Sequence, residues 1–234
     1  MEIIVNNLPY LLWGPFPHGP FGGLALTLYL SAIMGAAAAC VGMVLGSLSL
    51  TPIKSVRKIA LGLSICIRGV PSLAFLFWMY FLIPKLLQID LSPFQSATIA
   101  LAIYHGAYMS EDIRGGIQSV GKGQWDTANA TGLGLWHTLR HVIFPQAIAT
   151  VVPALINRFV NLFMYTSIVS MLGILEFMRA AVLVNNRELI YPMEIFGFVG
   201  LVYFIFCYGL TRWGRYLEKK WEWAPKVSST NVAI

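Results

Sequence analysis

The sequence predicts an all-α, polytopic membrane protein with five transmembrane helices and one polar loop between the third and the fourth. Two observations carry this. Only 11% of the 234 residues are charged and 57% are apolar, where an ordinary soluble domain carries about 25% charged residues. The mean hydropathy is +0.70, and the apolar residues gather in runs long enough to cross a bilayer, which takes about 20 residues per helix. This composition excludes a soluble enzyme and a disordered chain. The 21 glycines follow no three-residue period, which excludes a collagen-like chain.

Between Ile3 and Ile53 the chain carries no charge. Residues 1–22 read as an extracytoplasmic N-terminal segment that ends in a Pro/Gly-rich lead-in, because Pro15, Pro17 and Pro20 break a helix there. The first 23 residues hold no Lys or Arg, so the basic start of a signal peptide is missing. The first span, 23–50, is rich in Gly, Ala and Ser, a face suited to close helix packing. Lys54, Arg57 and Lys58 close it. The second span, 59–83, contains Arg68 and a bend at Gly69-Val70-Pro71. Arg68 reads as a side chain that snorkels to the headgroups. The third span, 94–115, ends in Glu111, Asp112 and Arg114. The fourth, 143–174, is entered at Pro145 and contains Arg158. Residues 176–194 hold five charges and form a non-spanning connection to the fifth span, 195–211. The tail is basic and aromatic, with Arg212, Trp213, Arg215, Lys219, Lys220, Trp221, Trp223 and Lys226, a composition that anchors at headgroup level.

Five spans put the termini on opposite sides, and the charges choose which. One side holds eleven Lys and Arg residues, from Lys54 through Lys226; the other holds Lys85, Arg179 and Arg187. The positive-inside rule makes the richer side cytoplasmic and the N-terminus outside. The net charge of +6 is thereby a record of orientation and gives no support to nucleic-acid binding. Cys40, Cys66 and Cys207 lie in apolar stretches without ligand spacing, as small packed side chains do.

The informative segment is 116–145, GIQSVGKGQWDTANATGLGLWHTLRHVIFP. It fits the phosphate loop G-x4-G-K-S/T up to Lys122, then fails at Gly123, and no strand precedes it. Two short helices fit better. Trp125, Ala128 and Leu133 give the first an apolar edge, and Gly132 can end it with positive φ. The second starts near Leu135 and carries Trp136, Leu139 and Val142. Periodicity alone leaves two readings open: a helix that docks on a cytoplasmic partner, and a loop packed on its own subunit.

This stretch resembles the EAA loop of bacterial ABC importer permeases, E-A-A-x3-G-x9-I-x-L-P. The corresponding residues are Asp126, Thr127, Ala128, then Gly132, then Val142, Ile143, Phe144 and Pro145. Thr127 in place of Ala is the clearest departure. Ala107 to Gln118 resembles the A-Y-x-x-E-x-x-R-G-G-I-Q segment of the polar amino-acid uptake subfamily, the permeases for histidine, glutamine, glutamate, arginine and opines. Lys122 to Trp125, Phe144 to Ala147, Arg68 to Pro71 and Tyr216 to Lys220 fit the same subfamily, so the likeness runs from about residue 24 to 220.

The resemblance implies a type I importer permease fold, with a transmembrane permease domain over 23–217, its coupling loop at 118–145 and a cytoplasmic tail over 218–234. It implies a multi-pass subunit of the bacterial cytoplasmic (inner) membrane that forms the path for a polar amino acid. Implied partners are a second permease subunit, identical or related, two cytoplasmic ATPase subunits and an extracytoplasmic amino-acid-binding protein. ATP and Mg would bind in the ATPase subunits, and this chain would hold no cofactor, no metal and no catalytic residue. Trp125, Asp126, Thr127, Ala128, Asn129, Ala130, Gly132 and Pro145 would couple the two halves.

Arg158 sits in a span with Asn157 and Asn161 nearby, and an intramembrane arginine marks a pathway or a buried pair. It holds a substrate carboxylate, or it closes an ion pair within the subunit or across a permease dimer. With Asn161, Tyr165, Thr166 and Ser167 it makes the candidate substrate path. Related permeases show an acidic or amide-bearing pair just before Thr166-Ser167. Here that pair is Met164-Tyr165, which weakens a cationic substrate. Glu111 and Arg114, three apart, read as a structural pair, with Asp112 facing Arg140, Lys122 or an ATPase. His105 reads as buried in a packed interface. His137 and His141 share a face but lack a third ligand, so a metal site and a membrane enzyme both lack support. The alternative is an ATP-independent secondary transporter or channel, against which stands the lack of self-similar halves.

Overall fold

The computed structural model describes residues 2–189 and 191–221. Its helices are α1 (Glu2–Trp13), α2 (Gly23–Ser49), α3 (Lys54–Arg68), α4 (Ser72–Phe77), α5 (Ile83–Leu87), α6 (Pro93–Gln118) and α7 (Lys122–Ala130). Then follow α8 (Leu135–Thr138), α9 (Phe144–Tyr165), α10 (Phe177–Glu188) and α11 (Pro192–Trp221). A π-helical turn (Trp78–Leu82) joins α4 to α5, another (Leu139–Ile143) joins α8 to α9, and a 3-10 turn (Thr166–Leu172) follows α9. Among the described residues the β-type contact is an isolated bridge between Gly23 and Glu176. Trp223, Lys226 and most of the expected tail lie outside the described residues.

The core is ordered along α2. At its start, Leu11, Leu24, Phe177, Ala181, Val184 and Ile195 join α1, α10 and α11. Midway, Leu30, Met34, Ala38, Leu101, Met109 and Leu162 join α2, α6 and α9. At its far end, Ile113, Ile117, Val120, Ile143 and Ala147 form the last cluster, with Leu50 and Trp125 packed against it. The partner of α2 along most of its length is α6. Two glycines set that close approach. A Cβ on Gly42 would stand 2.6 Å from the Met109 Cβ, and one on Gly106 would stand 2.6 Å from the Val41 Cβ. The small-residue stripe is thus a packing face. α6 itself starts on a capping box: Ser92 Oγ accepts from the Gln95 N–H at 3.2 Å and Gln95 Oε1 accepts from the Ser92 N–H at 3.0 Å.

Not all five expected spans are apparent among the described residues. Gly23–Ser49, Leu135–Leu172 and Pro192–Lys220 are each long and apolar enough to cross a membrane. The expected second span is a broken pair, α3 and Ser72–Leu87, bent by 104° at Gly69-Val70-Pro71. Pro71 has no N–H and disfavours helical geometry at Val70, so the bend is local chemistry. α6, at 26 residues, would reach about 39 Å, but its last turns hold Glu111, Asp112 and Arg114. Only 11% of the apolar window of Pro192–Lys220 is buried, so α11 turns most of its length outward, as a helix that faces lipid or another subunit does.

Three details go beyond the sequence reading. Ahead of the Pro/Gly-rich lead-in, Glu2–Trp13 form a helix, α1, with Pro9 inside it. Pro145 sits in the first turn of α9, but the apolar run begins earlier, at Leu135, and passes through it to Leu172. The π turn Leu139–Ile143 is what lets it pass, since proline cannot donate to the turn before it and a widened turn relieves the clash. Trp78–Leu82 precedes Pro84 in the same way. Finally, α11 runs well past the expected end of the fifth span at residue 211, to Trp221.

Candidate functional site, a loop helix and a polar cavity

The loop helix α7 is amphipathic in the opposite sense to its likeness with a docking edge. Ala128 is 3% exposed and packs inward, and Trp125 packs against the α6–α9 cluster. The outward face carries Lys122, Asp126, Thr127 and Ala130, with Asn129 beside it. The helix ends as the glycine predicts. Gly132 has φ +74°, its N–H donates to Asn129 O at 3.0 Å, and the Leu133 N–H donates to Ala128 O at 3.2 Å. That double closure seals the last carbonyls and fixes the exit of the chain. Beyond it Leu135 and Trp136 are exposed, and the rings of His137 and His141 stack at 5.8 Å.

A second feature lies between α6 and α9. Tyr104, His105, Tyr108, Arg158, Asn161 and Tyr165 line a cavity of about 190 Å³. This is below the roughly 300 Å³ at which sites for drug-sized ligands begin, and it suits a small polar molecule. Arg158 Nε donates to Asp112 Oδ2 at 2.6 Å and Nη2 donates to Oδ1 at 3.2 Å. The guanidinium also lies over the Tyr108 ring, 4.8 Å from its centroid. Asp112 therefore meets Arg158, and not Arg140 or Lys122 as expected. His105 is 3% exposed, packs edge-on to Tyr165, and its Nε2 has no hydrogen-bond partner among the described residues.

Glu111 pairs with Arg114, as the spacing predicts, and Arg114 reaches on to Gln118 Oε1 at 2.6 Å. Arg68 turns in to Glu111 at 3.6 Å, and its backbone carbonyl accepts from the Tyr108 hydroxyl at 3.4 Å. It is an inward pair and not a side chain reaching for headgroups, because Glu111 offers a charge within reach. Of the five candidate path residues, Arg158, Asn161 and Tyr165 reach the cavity. Thr166 is fully buried, and its hydroxyl donates to Phe163 O at 2.7 Å; Ser167 donates to Met164 O at 2.8 Å. Both hydroxyls donate to carbonyls at the end of α9.

Sequence reasoning missed Glu176. Its side chain is 0% exposed. It caps α10, with Oε1 accepting from the Arg179 N–H at 2.7 Å and Oε2 from the Met178 N–H at 2.9 Å. The Thr27 and Tyr203 hydroxyls add contacts at 3.3 and 3.5 Å, so the carboxyl ties α2, α10 and α11 together. Burial pushes its pKa up to about 7, although these donors pull the other way. The missing signal was a cap three residues before Arg179 in a segment read only as polar.

Residues 38–223 match the family described as Binding-protein-dependent transport system inner membrane component. The chain belongs to this family. It is accordingly a multi-pass transport subunit of the inner membrane and not an enzyme, with the type I permease fold. It is 35% identical over 200 residues to the probable glutamine ABC transporter permease protein GlnM of Bacillus subtilis, covering 86% of this chain and 92% of that one. It is 32% identical over 224 residues to the glutamate/aspartate import permease protein GltK of Escherichia coli O6:H1, covering 93% and 96%. Among solved structures, an amino acid ABC transporter with histidines superposes with a TM-score of 0.79 at 29% identity, over 85% of this chain and 92% of that one. The MetNI methionine ABC transporter shares the fold at a TM-score of 0.70 and 16% identity, over 83% and 92%.

Proposed function

We propose that the chain is the permease subunit of an ATP-driven importer for a polar amino acid. It pairs with a second permease, identical or related. Two cytoplasmic ATPase subunits, which hold ATP and Mg, bind at α7, and an extracytoplasmic binding protein delivers the substrate from the other side. The N-terminus lies outside and the C-terminus in the cytoplasm, with residues 1–22 outside, the membrane domain over 23–217 and the tail over 218–234.

The observation that carries this reading is the seating of α7. Ala128 and Trp125 root it in the core while Asp126, Thr127 and Ala130 face out. A helix so rooted passes a push from a partner into α6 and α9 instead of yielding to it, and two discrete positions of that unit would switch the access of the membrane path. Asn129, Gly132 and Pro145 complete the coupling segment. Arg158, Asn161 and Tyr165 form part of the substrate path, with Thr166 and Ser167 fixing the end of that wall. The names of the relatives support an amino acid as cargo, glutamine or an acidic one among them.

The test is to purify the tagged chain from its native membrane and assay what comes with it. An ATPase should co-purify and should be lost in Asp126→Lys, whose outward site makes the change harmless to folding. Retention of the ATPase with full ATP-driven uptake in that variant sinks the coupling reading, and uptake by the purified chain without ATP favours a secondary transporter.

A further inference from the structure

The pairing of Asp112 with Arg158 leaves part of the arginine unspent. A guanidinium presents two bidentate edges, one made by Nε with one terminal nitrogen and one made by both terminal nitrogens. Asp112 takes the first, through Nε and Nη2. Nη1 donates to no described residue, and Arg158 lines the cavity. Tyr108 holds the face of the same guanidinium. The arginine is therefore gripped at one edge and one face, with its terminal edge open. Asp112 has an asymmetry of its own: Oδ2 is close to Nε at 2.6 Å, while Oδ1 makes only the longer contact of 3.2 Å to Nη2. The side chain keeps 16% of its surface exposed, and Oδ1, with that single long contact, keeps a lone pair for another donor.

We infer that Asp112 and Arg158 together form the receptor for the head group of a zwitterionic α-amino acid, with Asp112 as its ammonium subsite. This rests on reading the cavity as part of the substrate path. The α-carboxylate takes the open Nη1/Nη2 edge of Arg158. The α-ammonium, which stands beside its own carboxylate, falls next to Asp112 Oδ1, the oxygen that already faces Nη2. Two opposite charges then meet two opposite charges, and no buried charge is left unmatched. A ligand with the carboxylate alone adds an anion beside Asp112 and is disfavoured. A ligand with the amine alone adds a cation beside Arg158 and is disfavoured equally. The side chain of the substrate is left to His105, Asn161 and Tyr165, a wall with no carboxylate and one unpartnered imidazole nitrogen. Asp112 is the specificity-determining residue, and the head group is recognised whatever the side chain.

The experiment uses the assembled complex in lipid nanodiscs, without the binding protein, so that only the membrane site selects. Binding of the twenty common L-amino acids is measured by scintillation proximity. The tightest binder is then compared with its desamino analogue, which keeps the carboxylate and lacks the amine. The wild type should prefer the amino acid about tenfold or more, the worth of one charge-assisted hydrogen bond. In Asp112→Asn that preference should collapse to about twofold or less, with the desamino analogue bound at least as well as by the wild type, since the repelling charge is gone. A residue that merely tied α6 to α9 would weaken both ligands together. An unchanged preference in Asp112→Asn, or a parallel loss of both ligands, overturns the inference while Arg158→Met still reports on the cavity. If Arg158→Met binds normally, or the wild type binds none of the amino acids, the cavity reading itself falls.

Discussion

Two carboxylates, Asp112 and Glu176, sit at opposite ends of the helix bundle and solve the same problem differently. Glu176 is fully buried and faces neutral donors: two backbone N–H groups and two hydroxyls. Asp112 faces a charged arginine that lines a cavity, and itself keeps some surface. A carboxylate that gathers neutral donors from three helices is committed to structure, because releasing any donor strands it in an apolar core. A carboxylate that shares an arginine's fork has a partner with donors to spare. The difference separates a fixed joint from a recognition site.

The comparison breaks most readily at Glu176. Glu176→Leu removes the acceptor of two helix-end N–H groups and of the Thr27 and Tyr203 hydroxyls. It should cost about 3 kcal/mol, seen as a lower melting temperature and reduced yield of the purified complex. Normal melting would mean that the joint is unimportant.

A smaller effect should appear with pH. The folded chain holds the Glu176 proton up to about pH 7, whereas the ordinary value is 4.5. Between those values the folded state binds more protons than the unfolded one. Stability should therefore be greatest below pH 4.5, fall as pH rises through the window, and level off above about 7, by at most about 1.4 kcal/mol per pH unit for one group. Glu176→Gln should flatten that slope in melting curves; an unchanged slope assigns it elsewhere.

A third variant sharpens the contrast at the α7 end, where the joint is made by backbone N–H groups and the Thr131 hydroxyl, which donates to Ala128 O at 2.9 Å. Gly132→Val puts a branched side chain at φ +74° and should cost about 1–2 kcal/mol, with loss of the co-purifying ATPase. Gly132→Asn should recover most of it, because Asn tolerates that conformation. No space is contested there, since a Cβ on Gly132 meets nothing within 4 Å, so any loss reports backbone strain.

What the sequence made legible was local. α2 ends within a residue of its expected limit because a run of small apolar residues meets Thr51-Pro52 and then a basic cluster. α7 ends at Gly132 because a single glycine can take the left-handed turn. Glu111 meets Arg114 because they are three apart on one helix. The rest depended on partners far along the chain. Asp112 and Arg158 are 46 residues apart, and Thr27 and Glu176 are 149 apart, distances at which no periodicity speaks. Pro145 was read as a boundary because a proline usually is one; the widened turn before it has no sequence signal of its own. Ala128 matched the motif, but a motif records residue type and not the face that it takes.

The prolines and glycines divide the bundle mechanically. α2 and α6 each run without an internal proline beyond the first position and interlock through Gly42 and Gly106. Together they form a beam. The run from Leu135 to Leu172 is jointed instead, with a π turn at Leu139–Ile143, Pro153 within α9 and a 3-10 turn at Thr166–Leu172. Each joint leaves backbone groups outside the regular ladder, so it bends at lower cost than the beam. α7 is rooted where beam and jointed rod meet. A torque applied there is carried rigidly by one and flexed by the other, and Arg158 rides on the member that flexes.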